Sequence, residues 1–441
     1  MQISLPYLRP TVALGATIAL ALGLTACSSD SDDMGPAASM TQTQAPMDPG
    51  TSAPADDMDM EMSALDPEGT GDPFADARTA AQHMPGTAKT LAAGFAAALD
   101  LPGDATSPAA DLRSGLTSLL QEHVYLAGMA VATAYATAPD SAEFEAAAAT
   151  LDVNTVALSE AIGEFSTPEQ EQAFLALWRE HIGYFVDYAV AEKTGDAEAK
   201  QTALDNLAGY TGDAGAFFED VSGGELPASD IAMSLEMHIT TLTKAIDGFA
   251  AGSADAFDSL RTAAMHVGEG AAVIAGGLTT AADLEGDPAD EASTLRATLT
   301  AGLQEHVYLA GIAVFTAYTS EGGTESEAFA AAAATLDANS VALSEGIGSL
   351  AGEENGTAFL ELWREHIGYF VDYANAVAMG DDAAAQEALA ELDAYRATAG
   401  EFFAGISNGE LPAQDIADGL AMHVKTLGGA IDSLNEALVQ G

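Results

Sequence analysis

The stretch Leu120-Gln121-Glu122-His123-Val124-Tyr125-Leu126-Ala127-Gly128 returns residue for residue at 303–311, 183 positions on (120 to 303). A second stretch, Leu177-Trp178-Arg179-Glu180-His181-Ile182-Gly183-Tyr184-Phe185-Val186-Asp187-Tyr188-Ala189, returns at 362–374, 185 positions on (177 to 362). Gly224-Glu225-Leu226-Pro227-Ala228 returns at 409–413 with the same spacing of 185 (224 to 409). Shared words this long do not arise from composition, so the chain carries one module twice. The change in spacing falls in the Gly/Ser/Glu-rich turn at 320–324. The modules are expected over 73–255 and 256–441, each long enough for a core of its own.

Both modules read as helix throughout. Ala, Leu, Glu and Met dominate, β-branched runs are missing, and apolar positions recur at steps of three and four, as in Leu112, Leu116, Leu119, His123, Leu126 and Ala130. Ser107-Pro108 and Thr167-Pro168 each put a capping hydroxyl before a proline at the first helical position, and Gln170 completes a capping box. Breaks at Pro102-Gly103, Pro139, 163–168, Gly195 and Gly223-Gly224 divide the first module into about six helices. The expected fold class is all-α: two tandem, Ala-rich, antiparallel helical bundles.

Residues 1–26 read as an address. Arg9 precedes an apolar run over 12–24 that ends in Leu24-Thr25-Ala26-Cys27, which resembles a bacterial lipobox. Cys27 is the single cysteine of the chain, so no intrachain disulfide forms, and its thiol is the expected site of acylation. The run is too short and too rich in Gly and Ala for a permanent span. The expected mature protein starts at Cys27, outside the cytoplasmic membrane, held to the bilayer by lipid. From 27 to 72 the composition turns to Ser, Asp, Pro, Gly, Thr and Met with no helical or strand period, the pattern of a disordered tether. Within it Asp56-Asp57-Met58-Asp59-Met60-Glu61-Met62 alternates thioethers, which suit Cu(I), with carboxylates, which suit harder cations. A plain solvated acidic linker explains the same stretch and is the preferred reading.

With 13 Lys and Arg against 67 Asp and Glu, the formal net charge is −54. Such a polyanion is repelled by nucleic-acid phosphates and anionic lipid headgroups, so the expected partners are metal cations and no nucleic acid; no protein partner is indicated.

The chemistry turns on histidine. His83, His123, His181 and His238 of the first module pair with His266, His306, His366 and His423 of the second, and none of the eight is left over. Most share helical faces with apolar residues, so four imidazoles per bundle are expected to converge inside it as ligands for a transition metal, copper ahead of zinc in a thiolate-free setting. Glu122, Glu180 and their repeats Glu305 and Glu365 adjoin these His. Together with Asp152, Asn154 and Asp187, repeated as Asp337, Asn339 and Asp372, they are the expected supporting groups. Trp178 and Trp363 are expected as core anchors, and Arg179 and Arg364 as surface partners of acids. Two other readings stand beside the metal: a structural or interaction lipoprotein whose His belong to buried hydrogen-bond networks, and a haem or small-molecule binding module.

Catalytic signatures are missing. There is no His-Glu-x-x-His, no Glu-x-x-His, no Cys-x-x-Cys-His, no Walker A and no Gly-x-Ser-x-Gly, so the balance tilts away from an enzyme.

The words Leu-Gln-Glu-His-Val-Tyr-Leu-Ala-Gly, Leu-Asp-x-Asn-x-x-Ala-Leu-Ser and Leu-Trp-Arg-Glu-His-Ile-Gly-Tyr-Phe-Val-Asp-Tyr resemble those of a group of secreted bacterial helical proteins, over roughly 73–441. Some of that group carry a copper amine oxidase label. The activity is not expected here, because that enzyme makes its quinone from a Tyr in an Asn-Tyr context on a large β-fold, and this chain has no Asn-Tyr dipeptide and no strand pattern.

Overall fold

The computed structural model describes residues 65–440. They form α1 (Pro73–Gln82), α2 (Met84–Leu99), α3 (Pro108–Ala136), α4 (Ala142–Gly163), α5 (Pro168–Thr194), α6 (Ala197–Val221) and α7 (Ala228–Ala251), followed by α8 (Ala256–Ala282), α9 (Glu291–Thr319), α10 (Glu327–Ala351), α11 (Glu353–Met379), α12 (Asp382–Ile406) and α13 (Ala413–Asn435). The fold is all-α, with no strand among the described residues, and no described helix is long and apolar enough to cross a membrane. The signal segment, Cys27 and the Met-bearing stretch 56–62 lie outside the described residues.

The expected helix starts are made by the expected atoms. Ser107 Oγ accepts from the Ala110 N–H at 3.1 Å, and Thr167 and Gln170 exchange both bonds of a capping box, at 3.2 and 2.9 Å. One break escaped the sequence reading. The stretch that is a single helix as α8 is split into α1 and α2 in the first copy, at His83. Pro85 stands there where the second copy has Gly268. A proline inside a helix lacks the N–H for the carbonyl one turn back, and its ring crowds that carbonyl, so the first copy bends where the second runs on.

Packing boundaries and repeat boundaries do not coincide. α8, the first helix of the second copy, lies along α3 and α7, while α2 lies along α9 and α1 along α13. One bundle is therefore α3 to α8; the other is α9 to α13 completed by α1 and α2. The division at 255/256 marks the repeat rather than the packed unit. The exchange is held where the linkers before α3 and α9 cross. The Ala109 N–H donates to the Glu285 carbonyl and the Ala292 N–H to the Pro102 carbonyl, both at 3.0 Å. Arg296 donates to the Ala105 carbonyl at 2.8 Å and to Asp111 at 2.6 Å, and its repeat Arg113 donates to the Pro288 carbonyl.

The bundles meet along α3 and α9. Tyr125 and Tyr308 stack with ring centres 5.3 Å apart. Tyr125 donates to Glu305 at 3.0 Å and Tyr308 to Glu122 at 3.1 Å, a reciprocal pair across the pseudo-two-fold axis. Arg78 neutralises buried Glu122 and Arg261 neutralises buried Glu305, each at 2.6 Å.

The expected disordered tether is corrected at its end. Residues 65–72 are laid on α13: Leu65 is buried, the Glu68 N–H donates to the Lys425 carbonyl at 2.9 Å, and the Gly71 N–H donates to Ser433 Oγ at 3.1 Å. Glycines permit this approach. A Cβ on Gly69 would stand 2.6 Å from the Gly429 carbonyl oxygen, and one on Gly429 would stand 2.0 Å from that of Glu68.

Candidate metal centre

Alternate helices of each bundle bring three imidazoles to one point. His123 on α3, His181 on α5 and His238 on α7 form the first triad; His306 on α9, His366 on α11 and His423 on α13 form the second. In each, one ring nitrogen per residue lies within 4.8 Å of the others. The His123 and His181 Nε2 atoms are 3.4 Å apart, and those of His306 and His366 are 3.2 Å apart. Two imidazole nitrogens about 2.05 Å from a shared metal subtend roughly 100–110° at these separations, the angle of a tetrahedral centre.

Aromatic packing fixes the rings. Trp178 meets His181 edge-on with ring centres 4.5 Å apart and His123 at 5.1 Å, while Tyr210 stacks on His181 at 4.7 Å. The second triad repeats this with Trp363 at 4.4 Å from His366 and Tyr395 stacked on it at 4.9 Å. Phe185 and Phe370 close the sides against His238 and His423. The expected core anchors Trp178 and Trp363 are thus walls of the sites. Tyr210 and Tyr395 escaped the sequence reading, although they keep the 185-residue spacing of the nearby His and carry the same signal.

The six imidazoles are at most 5% exposed and are neutral. Burial, and then the neighbouring His238, pushes His123 down to about 3; burial and then His266 pushes His238 down to about 4; burial brings His306 to about 3. His181, His366 and His423 are lowered well below the ordinary value, by burial first and then by the imidazoles beside them. The Trp178 and Trp363 carbonyls, one turn earlier, pull His181 and His366 weakly the other way. None of the six Nδ1 atoms makes a hydrogen bond of ordinary geometry, and His423 Nε2 has none either. Three neutral nitrogen donors without a competing proton suit a borderline metal ion with a fourth position left open.

The expected set of four His is corrected to three. His266 faces the first triad from α8 but spends its Nε2 on the Ser234 carbonyl at 2.9 Å, and His83 faces the second from the α1–α2 bend with its Nε2 3.2 Å from Thr426 Oγ1. Because their helices are exchanged, each stands beside the triad of the other copy. The expected supporting groups are elsewhere too. Glu122 and Glu305 bind Arg78 and Arg261 at the seam, where Asn154 and Asn339 donate to them at 3.0 and 2.9 Å. Asp152 and Asp337 take Arg179 and Arg364 in two-point pairs on the surface, the role expected of those arginines. Glu180, Glu365, Asp187 and Asp372 are exposed. A single helical step turns a side chain through about 100°, so a carboxylate adjacent to an inward His faces away from it. Compared with protein-family models, curated proteins and solved structures, the chain gave no match.

Proposed function

We propose that this protein binds transition-metal ions, copper ahead of zinc, at its two three-histidine centres, as a lipoprotein anchored through Cys27 outside the cytoplasmic membrane. The observation that carries the metal reading is the convergence of three buried, neutral imidazoles whose Nε2 pairs are spaced at 3.4 and 3.2 Å. Copper leads because the donor set has neither thiolate nor carboxylate, and nitrogen sites hold Cu(II) more tightly than Zn(II). The anchor rests on the lipobox-like residues 24–27 and on the position of the single Cys.

The competing reading is a buried hydrogen-bond network, favoured by one fact: the same Nε2 spacing admits a long N–H···N bond. The Nδ1 atoms are unpaired in both readings, at about 1–3 kcal/mol each, and a metal bound at Nε2 offsets that cost by more than one long N–H···N bond per triad. The test is retained metal on the full chain, purified without a His tag and equilibrated with Cu(II) and Zn(II). Two copper ions per chain are expected, with His181→Leu and His366→Leu each removing one. Absence of retained copper, with those variants changing only the melting temperature, refutes the proposal.

A further inference from the structure

Beyond the bend at His83, the two bundles differ around the repeats of Leu116 and Leu119. In the first, Leu116, Ile162, Phe174 and Trp178 pack into one cluster with Ala271, Ala275 and Leu278 of α8, and Leu119 closes against it. Their repeats Leu299, Ile347, Phe359 and Trp363 are likewise buried in a core cluster, but they also line one side of a cavity of about 790 Å³, within the range of small-molecule sites, whose other wall includes Thr117 and Gln121 of α3 and Arg261 and Ala264 of α8. The repeat of Leu119 is Gly302, which lines that cavity, and Gly86, Gly268, Gly346 and Gly419 line it as well. At Gly86, Gly346 and Gly419 a Cβ would meet nothing within 4 Å. A glycine inside a helix costs about 1 kcal/mol against alanine, so the space is kept against local helix preference.

The unpartnered ring nitrogens of His423 and Oε1 of Gln121, both residues of the lining, are covered by neighbouring atoms and present no acceptor to an occupant. Around them the wall is largely aliphatic and aromatic. Three of its carboxylates, Glu269, Glu345 and Asp415, are exposed, and its one arginine, Arg261, is already paired with Glu305. We infer that the cavity between the second bundle and helices α3 and α8 of the first binds a small organic molecule with an apolar, aromatic-sized body and no negative charge. Exposed carboxylates and the net charge of −54 disfavour an anion, and the largely aliphatic and aromatic wall favours an apolar body. This inference stands without the metal, because the cavity is present in the empty protein.

The test uses the full chain stripped with EDTA and the neutral fluorophore N-phenyl-1-naphthylamine, which has an apolar body and one N–H. One saturable equivalent per chain is expected, with energy transfer from Trp363 retained in Trp178→Phe. Gly346→Leu, which grows into open space, is expected to weaken binding at least tenfold while the far-UV dichroism stays native. Gly302→Leu, which restores the side chain of the first copy, is expected to do the same; the Leu343 side chain 2.7 Å from its Cβ must turn aside. Anilinonaphthalene sulfonate, a closely related body with one negative charge, is expected to bind at least tenfold more weakly. No saturable binding, or binding unchanged in folded Gly346→Leu, overturns the site; equal affinity for the sulfonate overturns the chemical class. Loss of metal binding with fluorophore binding intact refutes the metal proposal alone.

Discussion

Lowering the pH from 7 to 5.5 separates a buried imidazole centre from ordinary surface histidines. A ligand must shed its proton before it binds a metal, so affinity falls by one plus the ratio of protonated to neutral form at each ligand. For three histidines at the usual pKa of about 6.5, that loss over this interval is about 600-fold. In the first triad His123 is down at about 3 and His238 at about 4, and His181 lies well below its ordinary value. At pH 5.5 all three remain neutral, and the expected loss is less than about 1.5-fold. Trp178 and Trp363, the two tryptophans of the chain, each stand against one triad, so Cu(II) bound there quenches their emission. The assay is a quenching titration against a chelator of known proton affinity, with far-UV dichroism confirming the fold at both pH values. A fall of more than about 30-fold, after correction for the chelator, refutes the argument that burial keeps these ligands deprotonated.

The same shifts make the metal-free protein sensitive to acid. The folded pKa values lie below the unfolded value of 6.5, so the unfolded chain takes up protons first; stability is full above pH 6.5 and declines toward pH 3, by up to about 1.4 kcal/mol per pH unit for each imidazole. A melting temperature that stays flat between pH 7 and 5 contradicts this, and bound copper is expected to raise the melting temperature while leaving the dependence over this interval in place, since it displaces no proton from ligands that are already neutral. At the seam, Arg78→Met leaves Glu122 buried without its cation and is expected to cost about 3–5 kcal/mol in denaturant melts, with Glu122→Gln recovering part of the loss in the double variant. Arg179→Ala breaks an exposed two-point pair with Asp152 and is expected to cost about 1 kcal/mol or less, so a loss as large as that of Arg78→Met argues against the assigned geometry. Trp178→Phe is expected to remove the quenching signal of the first triad and leave that of the second; loss of both signals contradicts the independence of the sites.

Much of the architecture was legible because helices announce themselves locally. Apolar steps of three and four, hydroxyls before Pro108 and Pro168, and the glycine breaks all act within a few residues, and the structure places helices where they direct. The bend at Pro85 was also local and was missed, because the sequence around it is otherwise continuous helix. The histidines were legible as a set because all eight keep their spacing between the copies, and six of them converge. Their carboxylate neighbours in sequence were misleading, since adjacent side chains on a helix point about 100° apart: Glu122 and Glu305 turn into the seam, Glu180 and Glu365 to the surface.

By itself the sequence determined the helices, the duplication, the repeated histidines and the excess of acid, since each is written in short-range pattern or composition. Tertiary structure alone decided which copy each helix serves. Crossed linkers send His83 and His266 to the other copy's triad, where bonds to Thr426 and to the Ser234 carbonyl hold them apart from the three converging imidazoles. It also decided that the side chains of one copy line a cavity, between the second bundle and α3 and α8 of the first, while their repeats are covered. Such outcomes depend on contacts between residues more than a hundred positions apart, and on one missing side chain at Gly302, which no local period records.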